Sequence, residues 1–258
     1  MSSALDDVVG ALRKDPVRTA ILLDFDGTLA PIVDDPAAAR PLRGVAEVLT
    51  GLAEVYGTVA VISGRPVRHL QAHLGAGPVL IGLYGLERVR DGSVHEDPSV
   101  SRWRPVVDEA AAAAAVELPD GVLVEHKGLS LTLHVRTHPE LAEEVGAWAA
   151  AASDRWGLRQ RGARRSVELH PPVDVDKGTV VAGLLERCDT ACFIGDDVGD
   201  LPAFVALDRF EADGHTAFRI VVTSTEVAPE LVACADLTVR DPAAALALLR
   251  ALLPTVGR

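Results

Sequence analysis

The residues best suited to chemistry in this chain are aspartates. Asp24 and Asp26 close the stretch Ile21–Leu22–Leu23–Asp24–Phe25–Asp26–Gly27–Thr28–Leu29, and Asp196, Asp197 and Asp200 stand in Gly195–Asp196–Asp197–Val198–Gly199–Asp200. Each set follows a short apolar run, which predicts a strand buried on both faces. The carboxyl ends of such strands are where α/β sheets carry their sites. Asp24 and Asp26 are two residues apart, so in an extended segment both side chains would point the same way. Like charges held that close repel, and a cluster of aspartates at two strand ends calls for a cation. Mg²⁺ suits carboxylates, carbonyls, water and substrate phosphate. Gly27 lets the chain leave the strand tightly, and Thr28 is placed to hydrogen-bond back across the turn. Taken alone, Asp-x-Asp is equally compatible with a polar turn, and the second cluster with an acidic surface turn.

Two further pieces bear on an anion. Ser63–Gly64–Arg65 follows the apolar run Thr58–Ile62 and precedes Pro66. A hydroxyl, a permissive glycine and the N–H groups of a helix start make an anion site, or merely an N-cap. Lys177 sits in Asp176–Lys177–Gly178, at the start of a predicted helix. The helix dipole disfavours a cation there, so a functional role is expected of it.

In this order the four pieces resemble the haloacid-dehalogenase (HAD) superfamily of phosphohydrolases. The resemblance implies that Asp24 is the nucleophile, forming an aspartyl-phosphate, and that Asp26 is the general acid and base. It implies that Mg²⁺ takes Asp24, the Asp26 carbonyl and Asp196, with Asp197 or Asp200 ordering that shell. Ser63 and Lys177 would hold the phosphoryl oxygens. Finer strings are similar to the trehalose-6-phosphate phosphatases: Asp24 to Ala39, Ile62–Ser63–Gly64–Arg65, Glu125–His126–Lys127–Gly128 and Glu168–Leu169–His170–Pro171. This second resemblance implies a trehalose 6-phosphate substrate, with Glu125, Lys127 and Glu168 reading the disaccharide and Arg65 joining substrate binding. The chain departs from that family's pattern at Tyr84, His170, Gly199 and Leu201. Two other readings therefore stand: a phosphatase for another sugar phosphate or phosphorylated glycoside, and a non-catalytic sugar-phosphate sensor or partner subunit. The resemblance leaves room for a trehalose-6-phosphate synthase partner, and a monomer is expected.

The elements that must position these residues alternate between strand and helix. Strands are predicted at Ile21–Leu23, Thr58–Ile62, Val79–Ile81, Thr190–Ile194, Ile220–Val222 and Ala235–Val239. Helices are predicted within 1–20 and at Val45–Tyr56, around 66–74, from Asp176 to Arg187 and at Pro242–Leu252. Between them the rhythm changes to helix (Ser101–Val116), two strands (Gly121–Glu125, Ser130–Arg136), helix (Glu140–Trp156) and two strands (Leu158–Arg161, Ser166–Leu169). That order implies an antiparallel sheet covered on one face. The expected fold is α/β: a doubly wound parallel-sheet HAD core, 1–97 and 171–258, with an inserted α+β (C2-type) cap domain at 98–170. Hinge motion is expected near Asp97–Ser99 and Pro171–Pro172.

Composition narrows the partners. The 258 residues carry a net charge of −12, which offers no general attraction to nucleic acid or an anionic membrane. An anionic substrate must therefore meet a local cation. The three cysteines, Cys188, Cys192 and Cys234, are odd in number and lack a zinc spacing, which favours a reducing cytoplasm. The segment Met1 to Pro16 has no signal-peptide pattern, and no apolar run is long enough to span a bilayer.

Overall fold

A computed structural model describes residues 3–90, 92–163, 165–224 and 227–254; residues 1 and 2 of the predicted N-terminal helix lie outside them. In chain order the first elements are α1 (Ser3–Leu12), β1 (Thr19–Leu23), α2 (Val45–Ala53), β2 (Thr58–Ile62), α3 (Val67–Leu74), β3 (Val79–Gly82), β4 (Glu87–Arg90) and β5 (Ser93–Glu96). Then come α4 (Arg104–Glu117), β6 (Leu123–His126), β7 (Leu131–His134), α5 (Ala142–Trp156), β8 (Arg159–Ala163) and β9 (Ser166–His170). The last are α6 (Lys177–Leu184), β10 (Thr190–Gly195), α7 (Leu201–Ala212), β11 (Thr216–Val222), α8 (Pro229–Ala233), β12 (Leu237–Val239) and α9 (Pro242–Leu252). The chain divides into two compact units, Met1–Val94 with Val175–Arg258, and His95–Asp174.

The large sheet has the order β12-β11-β10-β1-β2-β3-β4-β5. Pairing from β12 through to β3 is parallel, and β4 runs antiparallel to β3. Strand order reverses about β1, flanked by β10 on one side and β2 on the other, which makes its carboxyl end a topological switch point. The parallel strands read as continuous apolar runs because both faces are covered. Ile21, Leu23, Val59, Val61, Cys192 and Ile194 pack with α1, α2, α3 and α9. Ala20, Leu22, Ala60, Ile62, Ala191 and Phe193 pack on the other side with residues of α6, α7 and α8. The expected doubly wound core is therefore present. The β4 and β5 strands and helix α7 lie outside the predicted elements.

The His95–Asp174 unit holds a separate antiparallel sheet, β6-β7-β9-β8. Its core joins Leu131, Leu133 and Leu169 to Val107, Ala110 and Ala114 of α4 and to Val145, Ala149 and Ala152 of α5. Both helices meet one face of the sheet. Register puts Glu125 opposite Thr132, Thr132 opposite Glu168 and Glu168 opposite Arg161. Opposed residues share a face, so this polar row lies on the face away from the two helices. No helix among the described residues is long and apolar enough to cross a membrane.

Candidate active site

Strand β1 ends at Leu23, and the next residues leave the sheet. The turn is closed by backbone: Gly27 N–H donates to the Ala30 carbonyl at 2.7 Å, and Leu29 N–H to that of Phe25 at 2.8 Å. Thr28 was expected to bond across it, but its Oγ1 has no hydrogen-bond partner among the described residues. Because Asp24–Asp26 lies beyond the strand, strand alternation does not govern it. The two carboxylates meet different cations. Asp24 Oδ1 lies 2.7 Å from Lys177 Nζ. Asp26 accepts a two-point fork from Arg65, with Nε at 2.7 Å and Nη2 at 2.8 Å.

Lys177 is aimed by a capped helix. The Asp176 carboxylate accepts from Thr179 N–H, and Thr179 Oγ1 returns a bond to the Asp176 backbone, a reciprocal cap that starts α6 at Lys177. Its ammonium reaches Asp200 Oδ1 at 2.6 Å as well as Asp24, with the side chain 4% exposed. Burial pulls its pKa down, but Asp200 and Asp24 outweigh that and hold it charged, well above an ordinary lysine. Two carboxylates thus offset the unfavourable end of the dipole.

Asp24 carries the opposite balance. Burial pushes its carboxyl up from 3.8 to about 7, with Lys177 pulling down and Asp200 adding to the rise. Asp200 is fully buried and receives the N–H groups of Asp196 at 2.9 Å and Asp197 at 3.1 Å. Asp197 turns its own carboxylate to Gly199 N–H, closing the loop after β10. Two motif glycines permit this crowding. A Cβ at Gly27 (φ +78°) would stand 2.0 Å from the Asp196 carboxylate, and one at Gly195 2.3 Å from that of Asp200.

Ligand oxygens of Asp24, Asp196 and Asp200 lie within 4.8 Å of one another. Three buried carboxylates around one lysine leave an excess of negative charge, and an all-oxygen donor set suits a hard divalent cation. These residues fit Mg²⁺. Asp200 lies with these carboxylates while accepting from Lys177 and from the N–H groups of Asp196 and Asp197, and the carboxylate of Asp26 is taken by Arg65. Arg65 itself is committed to Asp26 and, through Nη1 at 2.6 Å, to the Pro36 carbonyl. That geometry makes it a support for the Asp26 carboxylate. Ser63 is buried and its Oγ accepts the Arg65 N–H at 3.1 Å.

In the His95–Asp174 unit, Lys127 Nζ stands 3.8 Å from Glu125 and 3.9 Å from Glu168. The structure thus brings the three expected sugar-reading residues together. His134 Nε2 is 2.9 Å from Glu125 Oε2. Sequence reasoning missed Thr132 and His134, which join the row only through strand register; alternation along Ser130–Arg136 was the available signal. Thr132 is 3% exposed and its Oγ1, like that of buried Ser130, has no hydrogen-bond partner among the described residues. His170 is buried, with its pKa lowered by desolvation and then by Arg161, and its Nδ1 lies 2.9 Å from the Pro171 carbonyl.

The family model described as Trehalose-phosphatase matches residues 22–242. The chain is 35% identical over 240 residues to the trehalose-phosphate phosphatase of Mycobacterium ulcerans, covering 87% of this chain and 60% of the relative. It is 37% identical over 200 residues to that of Mycobacterium avium, covering 73% and 51%. It thus spans between half and two thirds of the length of these relatives. Among solved structures, the C-terminal domain of C. albicans trehalose-6-phosphate phosphatase superposes with a TM-score of 0.77 at 23% identity, covering 96% of each chain.

Proposed function

The chain belongs to the trehalose-phosphatase family, and on that premise we propose that it hydrolyses trehalose 6-phosphate to trehalose and inorganic phosphate, as a Mg²⁺-dependent enzyme of trehalose biosynthesis in the cytoplasm. One observation carries the reading. A buried carboxylate, Asp24, stands at the switch point of the sheet, 2.7 Å from a buried lysine and beside Asp196 and Asp200. A pure binding protein has no need of a nucleophile with an acid–base partner.

In this reading an Asp24 oxygen attacks phosphorus as the P–O bond to the sugar breaks, giving an aspartyl-phosphate. Asp26 supplies the proton to the leaving oxygen, then takes one from the water that cleaves the acyl phosphate. Arg65 aims the Asp26 carboxylate, and one arm of its fork opens when Asp26 carries a proton. Lys177 offsets part of the rise that burial imposes on the Asp24 carboxyl. Lys177 and Ser63 take non-bridging oxygens of the phosphoryl group. Asp24, the Asp26 carbonyl and Asp196 would hold Mg²⁺, with Asp200 or Asp197 ordering those ligands. Bound there, the ion neutralises charge gathering on the transferring group. Glu125, Lys127 and Glu168 read the disaccharide hydroxyls.

A second reading, another phosphorylated glycoside, draws on His170. A buried imidazole with a depressed pKa stands where the family pattern has a guanidinium. Phosphate release measured across a panel of sugar phosphates, with Mg²⁺ and with excess chelator, separates the readings. Trehalose 6-phosphate is expected to be the best substrate, with turnover lost in chelator. A different glycoside phosphate turned over faster would select the second reading, and full rates in chelator would rule out the mechanism. We also propose a monomer, open to a trehalose-6-phosphate synthase partner; light scattering of the chain alone checks the first point.

A further inference from the structure

The loop after β3 carries a strained feature that the proposed chemistry does not use. Leu83 (φ 48°) and Tyr84 (φ 59°, ψ 17°) are consecutive non-glycine residues in the left-handed region. Side chains rarely adopt it, and such strain persists only where the surroundings impose it. Here the imposing contacts come from the Ser63–Arg65 loop. Leu83 N–H donates to the Arg65 carbonyl at 3.0 Å, and Tyr84 N–H to the Ser63 carbonyl at 2.9 Å. The result is to lay the phenol against Gly64. A Cβ at Gly64 would stand 2.6 Å from both Cζ and Oη of Tyr84. Lys177 Nζ lies 5.9 Å from the centroid of the same ring, within cation–π range, and the same ammonium holds Asp24. The phenol therefore lies against the Ser63–Gly64 loop, and its ring faces the lysine that holds Asp24, beside the groups that must surround a phosphoryl group if Asp24 is to attack it.

We propose that Tyr84 is a phosphoryl-binding residue, its O–H donating to a non-bridging oxygen of the substrate phosphate while its ring face steadies Lys177. The inference rests on the phosphohydrolase reading of this site but not on the identity of the sugar. It also accounts for glycine at position 64, since any side chain there would displace the phenol.

The test is Tyr84→Phe, which keeps the ring, its packing and the backbone while removing the hydroxyl. Three quantities are measured on the Mg²⁺-loaded protein: kcat/KM for p-nitrophenyl phosphate and for trehalose 6-phosphate, affinity for inorganic phosphate by calorimetry, and the melting temperature. Loss of one hydrogen bond to a charged group should lower kcat/KM for both esters about tenfold or more, and weaken inorganic phosphate by a similar factor. The melting temperature should stay within a few degrees, whereas a merely structural role would move it and leave phosphate affinity alone. Unchanged phosphate affinity and unchanged kcat/KM in Tyr84→Phe would overturn the proposal. Failure of the wild type on trehalose 6-phosphate would overturn the disaccharide reading alone, because p-nitrophenyl phosphate and inorganic phosphate report on Tyr84 whichever sugar is bound.

Discussion

At the carboxyl ends of β1 and β10, Lys177 meets Asp24 and Asp200 at 2.7 and 2.6 Å, and Asp200 takes two further backbone N–H groups. On the polar face of the antiparallel sheet, Lys127 stands 3.8 and 3.9 Å from Glu125 and Glu168, and the hydroxyls of Thr132 and Ser130 have no hydrogen-bond partner among the described residues. Both clusters pair one lysine with two acids, yet these lysine–carboxylate contacts close to hydrogen-bond distance only in the first, while in the second Glu125 meets His134 at 2.9 Å. The difference follows from what each would hold. A phosphoryl group has the same charge and shape in every ester, so its site gains from groups already aimed and desolvated. A sugar presents many neutral hydroxyls, which several carboxylates and hydroxyls spread along one sheet face can meet one by one.

The comparison is broken most severely at Asp24. Asp24→Asn should reduce turnover about 10⁴-fold or more on every ester, because an amide cannot attack phosphorus. Circular dichroism should show the fold intact. Turnover within tenfold of wild type would remove Asp24 as nucleophile.

The inserted unit should respond selectively. Glu125→Ala is expected to lower kcat/KM for trehalose 6-phosphate about 10- to 100-fold, the size of a charge-assisted hydrogen bond, and to leave p-nitrophenyl phosphate within about twofold. An equal fall on both substrates would make Glu125 a structural residue.

A smaller effect sharpens the electrostatic side. In excess chelator the Asp24 carboxyl has a pKa of about 7 in the folded chain against 3.8 ordinarily. Its pKa is raised on folding, so the folded state binds the extra proton. Its contribution to stability is therefore fully present below about 4 and is lost as pH rises through about 7. Melting temperatures of wild type and Asp24→Asn, compared at pH 5 and pH 8 in chelator, should show the wild type gaining several degrees relative to the variant at the lower pH. Equal pH dependence would mean that Asp24 is ionised throughout.

The smallest change is at Thr132. Thr132→Val removes a buried hydroxyl with no partner while keeping the side chain's shape, so it should raise stability by about 1 kcal/mol, or roughly 2–4 °C. A matching rise in KM for trehalose 6-phosphate alone would place that hydroxyl among the sugar contacts. A fall in melting temperature would show that Thr132 is satisfied by ordered water.

Much of this molecule was legible in the chain itself. Strands β1, β2 and β10 are short apolar runs because parallel strands are covered on both faces, and a run that stops at aspartate or serine marks its own site-bearing end. Helix α9 falls on its predicted span, where Asp241 and Pro242 mark the start. Other parts carried weaker signals. Strand β5 is mostly exposed, β4 is half-buried, and neither bears an apolar run. Helix α7 does carry helical spacing in Ala203, Phe204, Leu207 and Phe210, yet it follows directly on an acidic loop that draws the eye to charge instead.

The order and types of Asp24, Asp26, Ser63, Lys177, Asp196 and Asp200 are local facts, and chemistry could be read from them because each closes a strand or opens a helix. Their partnerships are not local. That Arg65 forks onto Asp26, that Asp200 stands with Asp24 and Asp196, and that Tyr84 lies over Gly64 all depend on loops from different strands meeting at one end of a sheet. Side-chain direction beyond a strand's last residue is set by the turn's own backbone bonds, not by strand alternation. Thr132 likewise joined Glu125 and Glu168 only when pairing of β6, β7 and β9 fixed the register, because a shift of one residue would have sent it to the opposite face.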